Sequence, residues 1–182
     1  MGERIGMGAG SGGFVLRGFV AGVIGAWVMD RATWVLQDRQ PRTTIEHERA
    51  AWPEGLDVSH LLGYRLAKAV GVPADRAQPS TLGMLTHYLL SIGPVILYAG
   101  LRQHDLRFAE DRGLLYGLLL FALWDEALSA AIGVAGRPRD YPWQAHLRGL
   151  VGHLSLGMAT HLALTPLETD FEIRPLSKHP GA

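Results

Sequence analysis

Two adjacent carboxylates, Asp125 and Glu126, stand in the middle of Gly113–Gly136 (GLLYGLLLFALWDEALSAAIGVAG), a stretch long enough to cross a bilayer as a helix. Acids in such a place can exchange protons with an imidazole, hold a cation, or pin neighbouring helices together. Imidazoles are available: His87 lies in Leu82–Leu101, and His146, His153 and His161 lie in Ala145–Leu164. At about 1.5 Å per residue, His153 falls within about 3 Å of the middle of its stretch and His87 about 7 Å from the middle of its own. Asp30, Arg31, His146 and Arg148 fall towards the same side as His87, and His161 towards the other. The polar groups therefore descend from one face to a floor of Asp125, Glu126 and His153, the pattern of a water-accessible vestibule between helices.

Several chemistries are compatible with that set. His87 and His153 differ in depth by about 4–5 Å, so bis-histidine ligation of haem b is geometrically allowed, and a metal role for these two residues arises only with that group. A carboxylate-bridged metal pair is disfavoured, because no Glu-x-x-His pattern of the di-iron type occurs on these helices. Proton exchange between the acids and a histidine near neutral pH is a third reading. The plainest is an internal hydrogen-bond network that fixes helix packing. No cofactor is predicted, with haem b as the alternative. No nucleophile motif or phosphate loop is present. The GxGxG within Met7–Gly13 precedes an apolar span and follows no strand, so it is not a nucleotide fingerprint.

The elements that must position these groups are helices. Gly113–Gly136 would extend roughly 35 Å against a hydrocarbon core of about 30 Å. Its ten Leu, Ile, Val and Phe residues favour insertion by roughly 3–6 kcal/mol, and two charged acids oppose it by roughly 5–7 kcal/mol. The segment therefore needs a polar partner, a proton or water facing its acids. Three further spans are predicted at about 14–36, 82–101 and 145–164. In the first, Gly18 and Gly22 form a GxxxG pair continued by Gly25, a face that lets another helix approach closely. Trp27 and Trp34 suit an interfacial belt, which places Asp30 and Arg31 at headgroup level. Pro94 is a candidate kink in the second span.

Between them, 37–81 reads as a polar connection punctuated by prolines. Within it Val58–Val70 places Leu61, Leu62, Leu66 and Val70 at helical spacing, a short amphipathic helix on the membrane surface or capping the bundle. His60 in that helix is expected at the surface. Residues 1–13 are expected to be a flexible start, Arg102–Arg112 a short basic link, and 165–182 a loosely ordered tail. A secretory signal is not expected.

The chain of 182 residues balances 17 basic against 17 acidic residues and shows no basic stripe, so nucleic acid is not an expected partner. It has no cysteine, which excludes disulfides and thiolate chemistry. Its 23 glycines are a content common in membrane helices, and one domain is expected. The arginines of the 102–112 link argue for an N-in, C-in topology.

Certain residues resemble the YagU-type family of bacterial inner-membrane proteins. Thr86-His87 followed by Ser91 and Tyr98 matches in type and spacing, as do Gly113-Leu114-Leu115 with Gly117 and Gly133. Pro142-Trp143 with Gly152-His153 keeps the same interval, and Gly18, Ala21 and Gly22 are weaker matches. The chain departs where the family pattern has a histidine, here Asp125, and where it has a glutamate, here Gly149, as though a carboxylate and an imidazole had exchanged helices. The resemblance implies a multi-pass membrane protein of unassigned reaction, with some association with acid tolerance, and it singles out His87 and His153.

The expectation is an all-α integral membrane bundle of four transmembrane helices in a bacterial cytoplasmic (inner) membrane, with the lipid bilayer as its first partner. Its function is expected to be non-enzymatic, resting on a protonatable interior linked to acid or envelope stress. One alternative is an accessory subunit of a larger membrane complex or a homo-oligomer, docking through the glycine face of its first span. Another is a haem- or quinone-binding redox protein. A soluble four-helix protein is the last, and it would require Leu82–Leu101 to be buried on every face.

Overall fold

Small residues at every third or fourth position dictate how the first helix packs. In α1 (Ser11–Asp38) the buried stripe is Gly18, Ala21, Gly22, Gly25 and Ala26, while Leu16, Phe19, Ile24 and Trp27 stay exposed. A stripe without bulk lets two other helices come within backbone contact. A Cβ on Gly18 would stand 2.7 Å from the Cα of Ile96, and one on Gly22 would stand 3.0 Å from the Cα of Ile92. One on Gly25 would stand 2.6 Å from Thr160 Oγ1. The glycine face is therefore occupied inside the chain and is not free to receive a partner subunit.

The computed structural model describes residues 11–77, 80–104 and 110–172. The start at 1–10, the middle of the 102–112 link and the tail beyond 172 lie outside them. Among the described residues the fold is all-helical. After α1 come α2 (Arg42–Ala50), α3 (Val58–Ala69), α4 (Thr81–His104), α5 (Leu114–Ala131) and α6 (Trp143–Glu172). Three helical segments are long and apolar enough to cross a membrane: Gly13–Asp38 of α1, Thr81–Arg102 of α4, and α5. Their outward faces carry exposed leucines, among them Leu85, Leu89 and Leu97 of α4 and Leu115, Leu119 and Leu123 of α5. An exterior of that kind suits lipid and not water. It also removes the soluble alternative, since Leu82–Leu101 is not buried on every face.

Four helices pack together. α1 lies against both α4 and α6, and α5 lies against α6. Where α5 meets α6 the approach is glycine on glycine. A Cβ on Gly117 would overlap the carbonyl of His153, and one on Gly157 would overlap that of Gly113. The apolar core of Ala21, Val95, Tyr98, Ala99, Leu156 and Leu164 fills one half of this bundle.

Several boundaries differ from the sequence expectation. The third span ends at Ala131 and not at Gly136, because Gly133 takes φ +74° and stops the helix. Val134 N–H bonds Ser129 O at 2.9 Å and Gly133 N–H bonds Ala130 O at 3.1 Å, the paired closure of a Schellman end. Asp125 and Glu126 therefore lie about 7–9 Å from the helix end, off its middle. The last helix does not stop at Leu164 but runs through Pro166 to Glu172, into what sequence reads as a loose tail. The polar connection holds an unexpected helix, α2. α4 continues unbroken past Pro94.

α3 caps the bundle, on a face different from the predicted one. Leu61, Gly63 and Ala67 are buried while Leu66 and Val70 are exposed. Gly63 makes the difference, since its missing side chain lets α3 settle on Thr86 and Leu82 of α4. His60 is not a surface residue. Its side chain is 11% exposed, it meets Asp57 through Nδ1 at 2.8 Å, and it accepts from Ser80 N–H through Nε2 at 3.1 Å. Asp57 also caps α3 by accepting from His60 N–H at 3.0 Å. One neutral histidine thus ties the start of α3 to the start of α4.

Candidate functional site

Opposite the apolar core, the half of the bundle nearest the long connection holds a cavity of about 680 Å³. Seven of the eight polar candidates line it: Asp30, His87, Asp125, Glu126, His146, Arg148 and His153. The eighth, Arg31, points outward with its guanidinium 5.7 Å from the Trp34 ring centre. Asp30 and Arg31 thus part company, and only the arginine is placed as a headgroup residue would be.

Each buried charge has a named neighbour. From α4, His87 Nε2 lies 2.9 Å from Asp30 Oδ1 on α1, and Tyr88 donates its hydroxyl to Asp30 Oδ2 at 3.2 Å. From α5, Glu126 Oε1 lies 2.6 Å from His146 Nδ1 on α6. The second ring nitrogen of His146 faces the carbonyl of Pro138 at 3.0 Å. Both neighbours of that ring are acceptors, so the His146–Glu126 unit holds one proton more than a neutral imidazole beside a carboxylate. Asp125 Oδ2 lies 3.5 Å from His153 Nδ1, which gives its hydrogen bond to Gly149 O at 2.9 Å instead. The Asp125–His153 contact is thus an ion-pair approach and not a hydrogen bond.

The local shape of α5 is what lets neighbouring acids both face α6. Phe121–Leu128 is π-helical, and its i→i+5 turn changes which side chains share a face. Asp125 then reaches the level of Gly149 and His153, while Glu126 reaches His146. Gly149 leaves the room, since a Cβ there would stand 2.6 Å from Asp125 Oδ2.

Some site residues were not singled out from sequence. Glu48 of α2 is 8% exposed, pairs through Oε1 with Arg148, and leaves Oε2 without a hydrogen bond. Arg148 also donates to Gln40 Oε1 at 2.9 Å, binding the end of α1, α2 and α6 at the rim. The signal was present in principle, because an arginine on an inward helix face requires a carboxylate partner. Tyr88, Trp52, Trp124 and Tyr141 complete the wall. At the closed end of the bundle His161 is apart from all of these, 3.1 Å from Arg102, whose guanidinium reaches Glu168 at 2.7 Å.

The haem alternative meets an obstacle here. His87 engages Asp30 through Nε2, the nitrogen an axial ligand offers, and would have to give up that bond. Among the described residues no group of three His, Cys, Asp or Glu side chains is gathered to hold a metal ion. Compared with known proteins, the chain matches no family model, no curated sequence and no solved structure.

Proposed function

We propose that this is a four-span bacterial inner-membrane protein, non-enzymatic, whose vestibule takes up protons as the pH of the facing compartment falls, in the service of acid or envelope tolerance. One observation carries this reading: His87–Asp30 and His153–Asp125 face a single cavity, beside the already proton-holding His146–Glu126 unit. His87 and Asp30 are each 32% exposed and Asp125 is 33% exposed, which gives both pairs access to solvent although His153 itself is buried. Paired imidazoles at the mouth of a cavity are the groups that change charge near neutral pH.

α6 serves as the fourth span. Its 30 residues reach about 45 Å, and Leu147, Met158 and Leu162 are exposed along it. Its polar side chains His146, Arg148 and His153 turn to the vestibule, which contributes to its lower hydropathy. With N-terminus and C-terminus inside, the vestibule faces the periplasm, the compartment that acidifies first. The likeness to YagU-type proteins and their association with acid tolerance supports the same assignment.

Proton uptake tests it. Nanodisc-embedded protein taken from about pH 8 to pH 5 should absorb one to about two protons more than a His87→Gln/His153→Gln variant. Equal uptake by the two proteins would overturn the proposal.

A further inference from the structure

The vestibule has more negative than positive fixed charge, and its walls are aromatic. Arg148 is matched by Glu48, and the His146–Glu126 unit already holds its extra proton. Asp57 is met by His60, which the Ser80 N–H keeps neutral. Asp30 is met by His87 and Tyr88, and Asp125 is approached by His153. Among the described residues no lysine or arginine side chain hydrogen-bonds Asp30 or Asp125, whose near partners are imidazoles and the Tyr88 hydroxyl. Trp52, Trp124 and Phe121 add apolar and π surface to the same space. Glu48, nine-tenths buried, lines the same space and keeps one carboxylate oxygen without a donor. A volume of about 680 Å³ falls in the range of small-molecule sites.

We infer that the vestibule binds a lipophilic organic cation, a quaternary or protonated amine or its phosphonium counterpart on an apolar body. Its charge lies between Asp30 and Asp125 and its body against Trp52, Trp124 and Phe121. This rests on the protonatable vestibule proposed above and gives it a ligand. A delocalised cation loses little hydration on entering, gains the two carboxylates, and is attracted by the ring faces. The bound cation and the protons on His87 and His153 neutralise the same carboxylates, so each displaces the other. By linkage, binding releases protons, and lowering the pH expels the cation.

The probe is tetraphenylphosphonium, with tetraphenylborate as its counterpart of like size and opposite charge. Binding to the protein in nanodiscs is measured by equilibrium dialysis against empty nanodiscs. Tetraphenylphosphonium is expected to bind saturably, about tenfold tighter at pH 8 than at pH 6, with proton release, while tetraphenylborate shows no saturable binding. Asp30→Asn and Asp125→Asn should each weaken binding about tenfold, whereas Glu54→Gln, on the exposed connection, should leave it unchanged. Saturable binding of both ions would overturn the proposal, as would a phosphonium affinity independent of pH. The wild-type pH and charge comparisons decide even if a variant does not fold. Loss of cation binding with proton uptake intact would sink this inference alone. Loss of proton uptake would sink the reading beneath it.

Discussion

The two halves of this bundle solve the same packing problem in opposite ways. In the apolar half, Gly18 and Gly22 of α1 meet Ile96 and Ile92 of α4 backbone to backbone, and Gly113 meets Gly157. In the vestibule half the helices are joined as well by polar side chains that reach across the cavity: His87 to Asp30, Glu126 to His146, Arg148 to Glu48. Close backbone contact leaves no room for solvent or ligand. Polar side chains at a distance leave a cavity and need continued hydrogen bonding. The lesson is a division of labour, in which one half holds the fold and the other half is left free to change charge.

Breaking the comparison from the rim should have the largest effect. Arg148→Leu removes the partner of a carboxylate that is 8% exposed and is expected to destabilise by about 3–5 kcal/mol in a detergent unfolding titration. Replacing both partners, Arg148→Leu with Glu48→Leu, should recover most of that loss, because no buried charge is then left alone. Overpacking the other half comes next. Gly22→Val forces α1 from Ile92 and should cost about 1–3 kcal/mol, measured the same way, with α5–α6 spacing unaffected.

A finer division separates two histidines on α6. His153 is 7% exposed, bonded to Gly149 and close to Asp125, whereas His161 lies beside the already paired Arg102. His153→Leu should lower stability by about 1–2 kcal/mol and His161→Leu by less, since Arg102 retains Glu168. Equal melting temperatures for the two variants would remove the distinction.

The smallest effect belongs outside the bundle. The Arg65 hydrogen bond holds the Glu54 carboxyl below its usual value, aided by the charge of Arg76. A depressed folded value means that the pairing contributes above the unfolded value and is lost as pH falls through the folded one. The pair is exposed and screened, so Glu54→Gln should shift the melting temperature at neutral pH barely, and not at all in high salt.

Much of the site was legible because depth can be counted along an apolar helix. Asp30, His87, His146 and Arg148 were placed on one side above a floor of Asp125, Glu126 and His153 by residue number alone, and the cavity gathers them. What sequence hid were features set by glycine and by partners far along the chain. Gly133 ends α5 in a run, AAIGVAG, that reads as continuous apolar helix, and only its left-handed φ of +74° reveals the stop. The buried face of α3 shifted because an absent side chain, Gly63, makes the contact. Glu48 lies in a strongly charged run, IEHERA, that reads as solvated, and its burial depends on Arg148, a hundred residues away. The π-helical turn at Phe121–Leu128 carries no periodicity by which it could be read.

The most direct test of the protonatable vestibule is a site-resolved histidine titration by nitrogen-15 NMR of the protein in nanodiscs, from about pH 8 to pH 5. The account predicts that His87 and His153 change protonation while the helices remain folded, and that Asp125→Asn moves the His153 transition. If His87 and His153 keep one protonation state until the protein unfolds, the vestibule is a packing network and the proposed function is wrong.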